Sequence, residues 1–322
     1  MAQVDLTGKR VLVTLPVSEE QREAFVSLIE GAGGKVAFIL EPRVTEDDVR
    51  DVTIILGNVP ARTLHAPESL EWLQTSSAGY EHYLGRGTLA AGTVLTNATG
   101  AYGQAVSEHM LASLLCLMKR LHLYRDNQRE AQWADEGPVT TLVGSTVLVM
   151  GAGDIGTSFA RLASALGAHV WGVRRRIAEC QPPFECMFAL SEVLTALPQV
   201  DVVASVLPSS AETRFLANAE FFAAMREGSY FVNAGRGDLV DSQALVEALH
   251  SGHLAGAALD VTKPEPLPAG HPLWRQDNAL ITPHVAGFWH LQATVDNVIG
   301  IALRNLEAYL AGEPLANVVV RA

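Results

Sequence analysis

Short apolar runs and amphipathic segments alternate along the whole chain. In its first hundred residues, the apolar runs predict strands at residues 10–15, 35–40, 52–57, 72–76 and 93–97. Ser18 and Gln21 have the spacing of a capping box, which predicts a helix that continues to about Glu30. Strands that alternate with helices are typical of a parallel sheet, and we expect this first part to end near residues 99–100.

A long amphipathic segment follows at residues 103–123. Its apolar positions recur at the spacing of one helical face, and they are Val106, Met110, Leu114, Leu117 and Leu121. This pattern predicts one helix that packs between domains or subunits. His109 lies within it, and we interpret His109 as a structural residue, because a lone histidine in such a helix is more often structural than a ligand.

The most informative pattern begins with an apolar run at residues 147–150. It is followed by the sequence GAGDIG at residues 151–156, by a segment with helical spacing, and by a second apolar run at residues 169–173. Glycine spacing alone is a weak signal. A strand, a glycine turn, a helix and a second strand in one compact unit are the context that predicts a dinucleotide-binding turn.

Each glycine of this turn has a physical role. Gly151 permits the tight bend, Gly153 lets the backbone approach a pyrophosphate, and Gly156 allows the helix to pack closely on the strand. Asp154 and Ile155 stand at the start of the helix, where backbone N–H groups and the positive end of the helix dipole favour the same anion. We expect all five residues to contribute to a cofactor site.

Three arginines, Arg174, Arg175 and Arg176, stand at the end of the second strand. A site selective for NAD has an aspartate or glutamate about twenty residues past the glycines, where it binds the ribose hydroxyls. Guanidinium groups instead suit a 2′-phosphate, which they bind through charge-assisted and often bidentate hydrogen bonds. We therefore expect NADPH as the preferred cofactor, with NADH as an alternative.

The alternation of strands and helices continues to the end of the chain. Apolar runs predict strands at residues 200–207, 230–233, 255–261 and 279–282. Helical spacing recurs at residues 190–196, 219–224, 242–250 and 291–310. This is the pattern of a doubly wound sheet, in which ligands bind beyond the carboxyl ends of the strands.

The predicted fold is therefore α/β with two doubly wound parallel-sheet domains. A Rossmann nucleotide-binding domain at residues 101–285 is inserted into a flavodoxin-like substrate domain formed by residues 1–100 and 286–322. We expect the chemistry in a cleft between the two domains.

Composition narrows the function classes. With 322 residues, of which 48% are hydrophobic, the chain has ample material for two cores. The net charge of −12 argues against a nucleic acid or a membrane surface as partner. The N-terminus lacks the apolar core of a signal peptide, and the three cysteines have no paired metal spacing. We expect a cytoplasmic protein with reduced thiols and without a metal.

Ionisable residues follow three predicted strands of the second half. They are Arg236 in NAGRG, Glu265 in KPEPLP and His284 in TPHVAG. Taken singly, each is more often structural, but together their types suit the reduction of a carbonyl group. A histidine can donate the proton because the pKa of an imidazole is near neutrality, and a neighbouring carboxylate favours its charged form. An arginine can bind a substrate carboxylate and polarise the adjoining carbonyl.

Seven motifs together resemble the D-isomer-specific 2-hydroxyacid dehydrogenases, in particular the short glyoxylate and hydroxypyruvate reductase type. They extend over almost the whole chain, and they are SAGYEHY (77–83), AVSEHM (105–110), GAGDIG (151–156), VLPSSAET (206–213), NAGRGDLVD (233–241), LDVTKPEPLP (259–268) and ITPHVAG (281–287). The last three are highly specific in this order and spacing. The resemblance implies that Arg236 binds substrate and that Glu265 orients and charges His284, the proton donor.

The resemblance also implies further binding residues. Asp260 matches the family's aspartate near the nicotinamide amide, and the matching loops place further cofactor contacts at Pro208, Thr213 and Ala234.

On the substrate side, the family binds the substrate carboxylate through backbone N–H groups of an Ala-Gly loop, which matches Ala78 and Gly79. Consecutive amides in such a turn form an anion nest. Tyr80 stands where the family usually has a small aliphatic residue, so we expect it to narrow the pocket or to add a hydroxyl donor.

The sequence is interpreted as that of an NADPH-preferring 2-ketoacid reductase of D-stereospecificity, in a homodimer. Its substrate would be a small-molecule 2-ketoacid or 2-hydroxyacid. Phe288 and Trp289 are candidates for the pocket wall and Trp133 for a contact with a partner's active site, although ordinary packing accounts for them equally well. Two alternatives remain: a nucleotide-sensing binding protein or corepressor on the same scaffold, and a related dehydrogenase of a small anion such as formate or phosphite.

Overall fold

The structure is a computed structural model that describes residues 4–176 and 179–320. Over these residues the strands are β1 (Arg10–Val13), β2 (Lys35–Phe38), β3 (Ile54–Leu56), β4 (Trp72–Gln74), β5 (Val94–Thr96), β6 (Thr146–Met150), β7 (His169–Arg174), β8 (Cys186–Ala189), β9 (Val202–Ser205), β10 (Ser229–Asn233), β11 (Leu254–Leu259) and β12 (Ala279–Ile281). The helices are α1 (Glu19–Gly31), α2 (Glu46–Val49), α3 (Gly103–Met118), α4 (Leu121–Arg129), α5 (Asp154–Ala165), α6 (Val193–Ala196), α7 (Ala219–Ala224), α8 (Ser242–His250) and α9 (Gln292–Ala311). The chain divides into a first unit, Met1–Tyr102 with Trp289–Ala322, and a second unit, Gly103–Phe288.

The first unit is built on a five-stranded parallel sheet in the order β2-β1-β3-β4-β5, which is the flavodoxin-like order. The predicted capping box at the start of α1 is confirmed: Ser18 Oγ accepts from the N–H of Gln21, and Gln21 Oε1 accepts from the N–H of Ser18. One face of α9 packs into the same core, so that Val298 and Leu306 are buried together with Phe25 of α1. The first unit therefore joins segments from both ends of the chain.

The second unit contains a seven-stranded parallel sheet in the order β12-β11-β10-β9-β6-β7-β8. Counted within this unit, the order is that of the Rossmann fold with one further strand at the edge. The strands at its centre are buried along their whole length, as expected for a sheet covered on both faces. The predicted fold class, two doubly wound α/β sheets, is confirmed.

The single helix predicted over residues 103–123 is wrong, because the chain forms two helices there. Arg120 lies between α3 and α4 with a left-handed φ of 55°, a conformation that an α-helix cannot accommodate. The predicted apolar face of α3 is buried, and it consists of Val106, Met110, Leu114 and Leu117. Leu121, in contrast, belongs to α4 and is 54% exposed.

Other differences from the sequence-based prediction are smaller. Several strands are shorter than the apolar runs that predict them, because the runs continue into the turns that follow. The edge strand β8 was not predicted, and its four residues are only half-buried. Within the described part of the chain, none of the helices is both long and apolar enough to cross a membrane.

Candidate active site

The ionisable residues predicted at strand ends lie along one edge of the second unit's sheet. Arg236 follows β10, Glu265 follows β11 and His284 follows β12, and these three strands are neighbours. The glycine turn that starts at Gly151 follows β6. Because the sheet is parallel, the carboxyl ends of all four strands lie on the same edge, and the strand order reverses between β6 and β9. Ligands of such sheets bind at that edge near such a reversal.

His284 and Glu265 form a direct hydrogen bond. The distance from His284 Nδ1 to Glu265 Oε2 is 3.0 Å, and the other carboxylate oxygen, Oε1, accepts a hydrogen bond of 2.9 Å from the N–H of Thr262. An ionised carboxylate only accepts hydrogen bonds, so Nδ1 of the imidazole carries the proton in this pair. Nε2 is therefore the ring nitrogen that can exchange a proton with another molecule. The His284 side chain is 53% exposed, which gives a small molecule access to it.

The backbone at His284 has a left-handed φ of 54°, which is unfavourable for a residue other than glycine. Its N–H donates to the carbonyl oxygen of Asp260 at 2.8 Å and to that of Thr282 at 3.0 Å. The Asp260 carboxylate accepts from the next two amides, Val285 N–H at 2.9 Å and Ala286 N–H at 3.0 Å. Asp260, which is 5% exposed, thus holds the turn that carries the imidazole.

Arg236 lies in a turn of tightly packed glycines. Its Nη1 donates to the carbonyl oxygen of Gly235 at 2.8 Å, and the side-chain amide of Asn233 donates to the carbonyl oxygen of Arg236 at 3.0 Å. A Cβ at Gly237 would stand 1.9 Å from the carbonyl oxygen of Thr262, so that only glycine fits there. The turn of Arg236 therefore packs directly on the loop that leads to Glu265.

The glycine turn after β6 has the shape that a dinucleotide requires. Gly151 has a φ of 102°, and a Cβ at Gly156 would stand 2.1 Å from the carbonyl oxygen of Gly151. Gly153 caps α5, and a Cβ built on it meets no atom within 4 Å. Asp154 and Ile155 are the first two residues of α5. An open backbone at a helix N-terminus fits a pyrophosphate, so the residues present fit the predicted cofactor.

The three arginines after β7 have different surroundings. Arg174 lies against the glycine turn, because its Nε donates to the carbonyl oxygen of Ala152 at 2.8 Å and its Nη2 donates to the same oxygen. Arg175 Nε lies 3.4 Å from Oε2 of Glu212, and Arg176 is exposed. A cationic cluster thus borders the turn on the side of β7.

The remaining residues predicted to bind cofactor lie after β9 and β10. Thr213 Oγ1 donates to the carbonyl oxygen of Pro208 at 2.8 Å, which closes the loop after β9. The N–H of Ala234 donates to the carbonyl oxygen of Ser205 at 3.0 Å. These residues are on the same sheet edge as the glycine turn.

In the first unit, the loop after β4 carries the predicted anion nest. The N–H groups of Ala78 and Gly79 belong to peptide units whose carbonyl oxygens are held: that of Ser77 accepts from the N–H of Ala98 at 3.0 Å, and that of Ala78 accepts from Asn97 Nδ2 at 3.0 Å. Among the described residues, no acceptor is hydrogen-bonded to the N–H of Ala78 or of Gly79. Two fixed peptide units with available N–H groups are suited to an anion.

Aromatic residues near this loop stabilise it. Burial raises the pKa of the Tyr102 hydroxyl, which therefore stays neutral and donates to the carbonyl oxygen of Ser76. The N–H of Tyr80 donates to Glu81 Oε2 at 2.9 Å, and the Tyr80 ring packs against the core of the first unit.

The other aromatic candidates differ in exposure. Trp133 is fully exposed, Phe288 is 52% exposed, and Trp289 packs against the core of the first unit. The proposed roles of Trp133, Phe288 and Trp289 therefore stay predictions.

Two residues that sequence reasoning did not select lie beside the His284 turn. Thr282 Oγ1 donates to Asp260 Oδ1 at 2.6 Å, and His109 Nε2 lies 3.0 Å from the same hydroxyl. The sequence offers no signal for this contact, because the helix and the turn are far apart in the chain.

Comparison with known proteins identifies the family. The family model described as the NAD binding domain of D-isomer specific 2-hydroxyacid dehydrogenases matches residues 111–286. The glyoxylate reductase of Thermofilum pendens is 31% identical over 274 residues, which are 81% of this chain and 78% of that protein.

Solved structures agree over nearly the full length. A D-isomer specific 2-hydroxyacid dehydrogenase family protein from Aeromonas salmonicida has a TM-score of 0.82 and 31% identity, and the match covers 98% of this chain and 99% of that one. A D-isomer specific 2-hydroxyacid dehydrogenase from Xanthobacter autotrophicus, in complex with NADPH and MES, has a TM-score of 0.78 and 28% identity, covering 97% of this chain and 98% of that one. The resemblance seen in the sequence motifs is confirmed, and the chain belongs to the D-isomer specific 2-hydroxyacid dehydrogenases, a family of NAD(P)-dependent oxidoreductases.

Proposed function

We propose that this protein reduces a small 2-ketoacid to the D-2-hydroxyacid, with NADPH as its preferred hydride donor. The observation that carries this proposal is the 3.0 Å hydrogen bond between His284 and Glu265 at the sheet edge that also bears the dinucleotide turn. In this pair the carboxylate of Glu265 keeps the proton of His284 on Nδ1 and stabilises the positive charge of the imidazolium. Both effects suit a proton donor.

When bound, the nicotinamide supplies a hydride to C2 of the ketoacid. Arg236 binds the substrate carboxylate and polarises the adjoining carbonyl through charge-assisted hydrogen bonds. His284 gives the proton on Nε2 to the carbonyl oxygen as negative charge develops there, and Glu265 stabilises the imidazolium before this transfer. We assign the N–H groups of Ala78 and Gly79 to carboxylate binding as well, since they lack an acceptor among the described residues.

The preference for NADPH is supported by the cationic cluster beside the glycine turn. Arg174 is held there by its contact with Ala152, next to the position that an NAD-selective site gives to an acid. The relative from Xanthobacter autotrophicus was crystallised with NADPH.

Arg174→Ala is expected to raise the KM for NADPH by about tenfold to a hundredfold, which corresponds to the loss of one or two hydrogen bonds to a phosphate. The KM for NADH should change by less than about threefold, because NADH lacks the 2′-phosphate. The measurement is initial rates with each cofactor at saturating ketoacid. Arg226→Ala is the matched control, since Arg226 is also an exposed arginine with a hydrogen-bond partner in the chain, Asp201 at 2.6 Å, but it lies outside the glycine turn. An equal rise in the KM for NADPH and for NADH would show that Arg174 only stabilises the glycine turn.

We further propose a cytoplasmic homodimer. The segment after α4 exposes the large apolar side chains of Trp133, Val139 and Val143, and apolar surface of this kind is typical of a protein contact.

The function is tested by initial rates of NADPH and NADH oxidation with glyoxylate, hydroxypyruvate, pyruvate and phenylpyruvate, followed by chiral analysis of the product. We expect turnover with at least one small 2-ketoacid, higher kcat/KM with NADPH, and the D-hydroxyacid as product. Formate and phosphite are assayed with oxidised cofactor in parallel. Turnover of either anion without any ketoacid activity, or binding of NADPH with no turnover at all, would contradict the proposal.

A further inference from the structure

A chain of hydrogen bonds connects α3 to the turn that carries His284. Thr282 Oγ1 lies 2.6 Å from Asp260 Oδ1 and 3.0 Å from His109 Nε2. A threonine hydroxyl has one hydrogen, and the shorter contact to a carboxylate takes it. The hydroxyl oxygen must therefore accept at its other contact, so His109 donates through Nε2–H.

The acceptor at the end of this chain, Asp260, fixes the backbone of the turn. Its carbonyl oxygen and its two carboxylate oxygens accept from the N–H groups of His284, Val285 and Ala286 in succession. These amides hold His284 in its left-handed conformation. A rotation of the Asp260 carboxylate would release two of them, and the Thr282 hydroxyl opposes that rotation because it binds Oδ1.

His109 brings a donor to this chain from a rigid element. Its neighbours on α3, Val106 and Met110, are buried, and the helix packs against β11, which ends immediately before Asp260. The His109 side chain is 26% exposed, and its Nε2 is 3.8 Å from Asp260 Oδ1. The imidazole therefore contacts Thr282 from a rigid helix and lies close to the carboxylate that Thr282 binds.

We propose that His109 is a positioning residue for the proton donor: it donates to Thr282, which orients Asp260, which holds His284 in the geometry for proton transfer. This inference rests on the proposed function, because it gives His109 a role in the same reaction. His109 itself need not contact substrate or cofactor. Misplacement of a reacting group by about 1 Å can cost about a hundredfold in rate, so a small relaxation of the turn is measurable.

The test compares variants that remove one hydrogen bond with variants that keep it. His109→Leu and Thr282→Val are expected to lower kcat by about tenfold to a hundredfold, with little change in the KM for ketoacid. His109→Gln places an amide N–H near the position of Nε2, and Thr282→Ser keeps the hydroxyl, so both should recover most of kcat. The double variant H109L/T282V should be no slower than the worse single variant, because both residues act through one chain.

A second readout does not depend on the reaction. Amide hydrogen exchange at Val285 and Ala286 should accelerate at least tenfold in His109→Leu and Thr282→Val and return towards the wild-type rate in His109→Gln and Thr282→Ser. His253→Leu is the matched control, since His253 Nε2 also contacts backbone carbonyls, those of Phe222 and Met225, at 2.9 Å, away from this turn. It should lower stability without changing kcat or exchange at the turn.

The outcomes separate the two proposals. If His109→Gln is as impaired as His109→Leu, or if exchange at Val285 and Ala286 is unchanged in the apolar variants, the positioning role is refuted. The wild-type protein could instead reduce no ketoacid, while amide exchange at Val285 and Ala286 is still faster in the apolar variants than in the conservative ones. The proposed function would then be refuted, and the role of His109 in holding the turn would stand. Should His109→Leu not fold, the Thr282→Val and Thr282→Ser pair decides the question by the same two measurements.

Discussion

His284→Ala is expected to lower kcat for ketoacid reduction by about a hundredfold to ten-thousandfold, the range that general acid catalysis contributes. The reason is that Nε2 of His284 is the only site in the pair with Glu265 from which a proton can reach the substrate, since Nδ1 is engaged by Oε2. The affinity for NADPH should stay within about threefold of the wild type. Stopped-flow single turnovers give the chemical step, and fluorescence titration gives the cofactor affinity.

The chain offers a matched control for this substitution. His169 and Glu185 form a pair with the same atoms and the same 3.0 Å separation, but at the start of β7, on the opposite edge of the sheet. His169→Ala should leave kcat unchanged. A His284→Ala variant that retains more than about a tenth of the wild-type kcat would refute the assignment of the proton donor.

Gly153→Ala is expected to weaken NADPH binding by about a hundredfold while leaving the thermal unfolding midpoint nearly unchanged. A Cβ at Gly153 meets no protein atom within 4 Å, so the folded chain accommodates it. The methyl group would instead occupy the space through which the pyrophosphate approaches the backbone, and two hydrogen bonds to a charged group are worth about 3 kcal/mol or more. Isothermal titration and differential scanning calorimetry measure the two quantities.

Two other glycines serve as references for this prediction. Gly156→Ala should destabilise the second unit strongly, because its Cβ would stand 2.1 Å from a backbone carbonyl. Gly270→Ala should change neither stability nor affinity, since the space around it is also open and it lies outside the turn. Wild-type affinity in the Gly153→Ala variant would mean that the dinucleotide does not bind at this turn.

The parts of the fold that sequence analysis predicted are those set by local patterns. Apolar runs predict the strands of both sheets except the edge strand β8, and the capping box at Ser18 correctly predicts the start of α1. The motif order also placed Arg236, Glu265 and His284 after three strands, and the topology makes those strands neighbours. Such predictions succeed because the ends of parallel strands meet at one edge regardless of the intervening sequence.

The parts that were missed depend on tertiary structure. The break between α3 and α4 results from a single left-handed residue, Arg120, which is not a glycine and gives no local signal. The apolar spacing continued to Leu121, so periodicity alone extended the helix too far. The hydrogen bond between His109 and Thr282 joins a helix to a turn that is distant in sequence. No pattern within a single segment can predict it.

The contribution of α9 to the first unit's core has a consequence for the order of folding during translation. Phe25 and its neighbours emerge early from the ribosome, but the side chains that cover them, such as Val298 and Leu306, follow only after residues 103–288 have been synthesised. At 5–20 residues per second this interval is about 10–40 s. The second unit is therefore synthesised completely before α9. During this interval the sheet of the first unit has an uncovered apolar face, to which a ribosome-associated chaperone can bind.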